Sequence, residues 1–151
     1  MKSGRYNDML HEMGYFVLET LKKAVASWRE LALYFDVLVG EGNAFLDPDY
    51  HDSLLIDDAT FSRSKKYFWA INFLKDAEVN IADNLKQLQR FVDLVVKTPL
   101  APEQVRLRDK QLNEHRENLQ RLEELKADFQ DKRAEVVALR DGVSPGRSLI
   151  G

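Results

Sequence analysis

The chain has 151 residues, enough for one domain with a real hydrophobic core. A hydrophobic share of 44% excludes intrinsic disorder, and the lack of cysteine excludes disulfides, thiolate zinc sites and thiol nucleophiles. A net charge of −3 gives no overall attraction to nucleic acid or anionic lipid.

Residues 7–39 carry apolar groups in steps of three and four: Leu10, Met13, Val17, Leu21, Ala24, Trp28, Leu31, Phe35 and Leu38. That spacing predicts one long amphipathic helix, with Gly14 as a weak point and Gly40 and Gly42 placed to cap its end. Residues 41–58 form an acidic connector, holding Asp47, Asp49, Asp52, Asp57 and Asp58 with no lysine or arginine. Gly42, Asn43, Pro48 and Ser53 are its turn formers.

A second helix is expected over 59–97, with Asp58 or Thr60 as its N-cap. Its stripe reads Tyr67, Ile71, Leu74, Ile81, Leu85, Leu88, Val92 and Val95, broadened by Trp69, Phe73 and Phe91. Glu78 interrupts it, with a stem long enough to carry the carboxylate out to water. Thr98-Pro99-Leu100-Ala101-Pro102 breaks this helix and starts a third over 102–141, proline being tolerated in a first turn. Val105, Leu112, Leu119, Leu122, Phe129 and Val136, with Leu125 and Leu139, make a narrow seam between charged shoulders. Such a seam suits coiled-coil packing and contact with a partner, although the step through Leu119 slips by one residue. Gly142 and Pro145 end the helix, and residues 143–151 are expected to be a disordered tail.

The architecture expected is all-α: an elongated bundle of three long antiparallel helices in one domain over residues 1–142.

Three sets of residues could carry chemistry. The acidic loop (Asp47, Asp49, Asp52, Asp57, Asp58) offers hard oxygen ligands suited to magnesium or calcium, but it lacks the spacing of a calcium loop and reads first as a solvated connector with helix-capping aspartates. Arg63, Lys65 and Lys66, beside Tyr67, Phe68 and Trp69, could contact a phosphate or lipid headgroup, although the same aromatics fit a buried face. His11, His51 and His115 are far apart, with no His-x-x-x-His pair, and His115 on the seam reads as a core polar residue. No nucleophile elbow, Gly-rich phosphate loop or carboxylate dyad is present, so neither an enzyme nor a required cofactor is expected.

Two segments carry a likeness of another kind. Leu54-Leu55-Ile56-Asp57-Asp58-Ala59-Thr60-Phe61-Ser62-Arg63-Ser64-Lys65-Lys66-Tyr67-Phe68-Trp69-Ala70-Ile71, continued by Ile81-Ala82-Asp83-Asn84, resembles a segment of fungal CorA-like magnesium-transporter proteins. Lys132-Arg133-Ala134-Glu135-Val136-Val137-Ala138-Leu139-Arg140-Asp141-Gly142 is similar to the part that precedes that family's membrane-spanning helices. The resemblance implies the cytosolic stalk region of a homo-oligomeric divalent-cation channel, whose last helix leads to the membrane.

The chain departs from the family pattern after Gly142, where no spanning helix follows and the family's Gly-Met-Asn signature is missing. Its N-terminus also lacks the apolar core of a secretory signal. The expectation is a non-conducting domain for assembly or regulation, cytoplasmic as it stands and membrane-associated within a larger transporter. The competing expectations are a coiled-coil scaffold for a helical partner and a headgroup-binding helical domain.

Overall fold

The computed structural model describes the backbone of residues 2–44 and 57–142, and the side chains of 8–37 and 64–142. Three helices occupy this range: α1 (Lys2–Ala44), α2 (Asp57–Lys97) and α3 (Pro102–Arg140). Among the described residues there is no strand, and no helix is long and apolar enough to cross a membrane.

The helix ends follow local chemistry. At the close of α2, the Thr98 hydroxyl donates to the Leu94 carbonyl at 2.8 Å, occupying one of the acceptors a helix end leaves open. Pro102 stands at the first position of α3, where its missing N–H would have had no helical partner. Gly142 takes φ +76° just past the end of α3, and its N–H reaches the Leu139 carbonyl at 3.1 Å. That glycine is a left-handed cap. Gly40 and Gly42, expected to cap α1, are instead helical, and α1 continues to Ala44. Asp57 and Asp58, placed in the connector by sequence, are the opening residues of α2.

The chain forms two compact units. The first comprises Met1–Arg29 and Ile81–Leu125; the second comprises Glu30–Asn80 and Lys126–Gly151. Helix length accounts for the division. At 1.5 Å per residue each helix is about 60 Å long, so residues at its two ends share no neighbours.

In the first unit α1 buries Leu10, Gly14, Leu18 and Val25. From Gly14 onward this line lies one residue round the helix from the stripe read in the sequence, and Met13 of that stripe is half exposed. The reason is Gly14. A Cβ at that position would fall 2.6 Å from Cδ of Gln111 on α3. Glycine therefore makes room for a buried glutamine, whose Nε2 donates to the His11 carbonyl at 3.0 Å. From α2 the unit takes Ile81, Leu85, Leu88, Val92 and Val95, as the periodicity predicts.

In the second unit Ala32 and Phe35 of α1 are buried with Ala70, Leu74 and Ala77 of α2 and Phe129, Val136 and Leu139 of α3. Phe35 is the centre of an aromatic group, with Phe73 at 5.4 Å and Trp69 at 6.1 Å between ring centroids. Phe68 and Trp69, read as part of the buried face, are 65% and 51% exposed, because the small Ala70 takes the inward position. Glu78 does not reach out to water as expected. It is buried, with one oxygen 3.1 Å from the Arg133 guanidinium.

The Gly14–Gln111 contact makes a sign-reversing prediction. Gly14→Ala gains about 1 kcal/mol of helix propensity but displaces a buried amide, at a cost of about 1–3 kcal/mol. Urea titration should therefore show Gly14→Ala neutral to destabilised by up to about 2 kcal/mol in the native background, and stabilised by about 1 kcal/mol when Gln111 is also alanine. Equal gains in both backgrounds would mean that the two residues are not in contact.

Candidate functional site

Apart from Leu112, the buried positions of α3 recur in alternating steps of four and three: Gln111, His115, Asn118, Leu122, Leu125, Phe129, Lys132, Val136 and Leu139. The slip noted at Leu119 disappears once Asn118 takes that place. Four polar residues thus sit in a line that is otherwise apolar.

The seam residues expected to face a partner are largely turned into the chain's own core. Leu112, Leu122, Phe129 and Val136 are buried, while Val105 and Leu119 are half-buried. Covering that seam within the chain is the cheapest way to remove its leucines from water.

The four polar residues are not equivalent. In the first unit Gln111 is satisfied by the His11 carbonyl, but His115 and Asn118 are fully buried with no hydrogen-bond partner on either ring nitrogen or either amide atom. His115 meets Phe91 of α2 edge-on, with ring centroids 5.5 Å apart. Burial holds its imidazole below the ordinary value of 6.5, against the opposing pull of Glu114. It is therefore neutral at physiological pH.

In the second unit Lys132 bonds to Asp36 at 2.6 Å and to Asp128 at 2.9 Å. Burial works to lower its pKa, but the hydrogen bonds and charges of the two carboxylates outweigh that and leave it raised. Arg133 and Glu78 make a second ion pair in the same unit. Each charge thus has an opposite charge beside it, although Oε1 of Glu78 is buried without a hydrogen-bond partner.

Concavities open among the described residues of the first unit. One, of about 70 Å³, lies among Leu10, His11, Val95, Leu107 and Gln111. It has room for about two waters and none for a cofactor, whose sites run to several hundred Å³. Another is a shallow groove of about 440 Å³ between α1 and α2. Phe16, Val17 and Leu21 line it from α1, and Leu88, Phe91 and Leu94 from α2, with Arg90 at the edge. Phe16 is 74% exposed, and Met9 and Met13 continue an apolar row on α1 from it. Sequence reading missed the groove, counting Met13 in the buried stripe, although Met9, Met13 and Phe16 stand four and three residues apart.

The remaining candidates divide. Asp47, Asp49 and Asp52 lie outside the described residues, as do the side chains of Asp57, Asp58 and Arg63. Lys65 and Lys66 are exposed near the start of α2, on the same stretch as exposed Phe68 and Trp69. Among the described residues no group of three or more His, Cys, Asp or Glu is placed to hold a metal ion.

His115 sets the acid behaviour of the core. Its folded pKa lies below the unfolded value of 6.5, so as pH falls below that value the unfolded chain takes up the proton first. Its contribution to stability is complete above pH 6.5 and is lost as pH falls toward the folded pKa. His115→Leu should raise the urea midpoint and narrow the gap between midpoints at about pH 7.5 and about pH 5. An unchanged gap would show that the imidazole is solvated.

No family model matches the chain, and neither a curated protein nor a solved structure does.

Proposed function

We propose that this chain is a helical assembly domain, which acts by holding other helices rather than by making or breaking bonds. The observation that carries the reading is apolar surface left outside the core at helical spacing. In the first unit Met9, Met13, Phe16 and Leu94 are exposed; in the second, Leu33, Tyr34, Val37, Phe68 and Trp69 are. Large side chains in rows, rather than scattered singly, mark contact surfaces. A groove with an adjacent apolar row suits an amphipathic helix, whose side chains at intervals of three and four would seat in it.

The likeness of residues 54–71, 81–84 and 132–142 to fungal CorA-like magnesium-transporter proteins supports a more specific version. In that version the domain is the cytosolic stalk region of a divalent-cation transporter, regulating or assembling the pore without conducting. Coiled-coil pairing with a partner is the general alternative. On the described surface it would use α1 and α2, because the α3 seam is covered.

Sedimentation velocity over a range of concentrations tests the reading. The assembly domain should sediment as a reversible oligomer, and Phe16→Ser with Leu94→Ser should weaken association about tenfold or more without loss of helix content. The stalk version further predicts that magnesium shifts the association constant. A strict monomer at every concentration would sink the assembly reading, and an oligomer indifferent to magnesium would leave the stalk version without support.

A further inference from the structure

We infer that the α1–α2 face of the first unit pairs with the same face of a second copy of this chain, about a two-fold axis running along the helices. The inference rests on the assembly reading and names its partner.

Charge is distributed unevenly on either side of the groove. From Asp8 to Leu21, α1 has three acids and no lysine or arginine, with Glu12 and Glu19 on the side of the apolar row away from α2. From Asn84 to Lys97, α2 has Lys86, Arg90 and Lys97 against the single acid Asp93. All five of these flanking charges, Glu12, Glu19, Lys86, Arg90 and Lys97, are exposed. Glu19 pairs with Lys22 at 3.7 Å and has Lys23 four residues on, both exposed, and such pairs are worth little. The face therefore runs from an acidic rim on α1, across an apolar groove, to a basic rim on α2.

A face that is acidic on one side and basic on the other complements itself under one symmetry only. A two-fold axis along the helices lays α1 of each copy over α2 of the other, so that acidic rim meets basic rim twice. An axis across the helices lays α1 on α1, and sets Glu12 and Glu19 against their own copies. Like charges face to face cost affinity, so the first arrangement prevails.

The heights along the helices also agree. Leu10 and His11 line one cavity with Val95 and Leu100, whereas Phe16 to Leu21 line the groove with Asn84 to Leu94. Glu19 accordingly stands level with Lys86, whereas Glu12 stands level with Asp93, which Arg90 and Lys97 flank. Phe16, the most exposed large apolar side chain described, stands level with Leu88 and enters the groove of the other copy.

The absence of native cysteine makes a direct test available. Glu19→Cys and Lys86→Cys variants are made separately, and each is treated with a short bismaleimide alone and after mixing. The expected result is covalent dimer in the mixture and almost none in either variant alone. In parallel, Glu19→Lys should weaken dimerisation about tenfold, and adding Lys86→Glu to the same chain should restore it. Self-crosslinking of Glu19→Cys alone, or an oligomer by sedimentation with no crosslink in the mixture, would overturn this pairing while leaving the assembly reading standing. A strict monomer would remove both.

Discussion

One narrow buried line on α3 is the constraint from which the other features follow. Its positions recur in steps of four and three from Gln111 to Leu139, and α1 and α2 are buried along the lines that cover it. Each fully buried leucine, valine or phenylalanine on that line contributes about 2 kcal/mol relative to exposure, which together outweighs the weak intrinsic preference of any isolated helix. Because α3 is otherwise strongly polar, it has little further apolar surface to offer. Among the described residues, the exposed large apolar side chains lie on α1 and α2, with Leu107 of α3 the exception.

The polar members of that line divide the two units by chemistry. Lys132 is held by two carboxylates and Glu78 by a guanidinium on one oxygen, its Oε1 being buried without a partner, so the charges buried in the second unit are each paired with an opposite charge. His115 and Asn118 are buried unanswered in the first unit. Leaving an amide or imidazole without partners in a core costs about 1–3 kcal/mol per group, an expense that an apolar pair of similar shape would avoid. Phe91 links these groups to the groove, since it lines the groove and meets the His115 ring. The softest part of the first unit's core therefore lies directly behind its most accessible surface.

The helices were legible because their apolar spacing is sustained and because Pro102 and Gly142 stand at their ends. The exact buried line was less legible. On α1, Gly14 has no side chain to register in an apolar pattern, and its part in admitting Gln111 is visible only in three dimensions. On α3, counting only apolar residues forced a choice of Leu119 over Asn118 and produced an apparent slip. Extending the clean run Leu122, Leu125, Phe129 backward by steps of four and three finds Asn118, His115 and Gln111 directly. The candidate site divides in the same manner. Lys65 and Lys66 are exposed where the charge run placed them. The groove depended on which side of α1 faces outward, and that was set by Gly14.

The central claim is that the α3 seam belongs to the chain's own core. It is tested most directly by Leu122→Asp, followed by circular dichroism and urea unfolding over a wide range of protein concentration. The account predicts a loss of about 3 kcal/mol or more in stability, with helix content falling at every concentration alike. Full helix content and unchanged unfolding, with only the sedimenting mass reduced, would place the seam between molecules and contradict it.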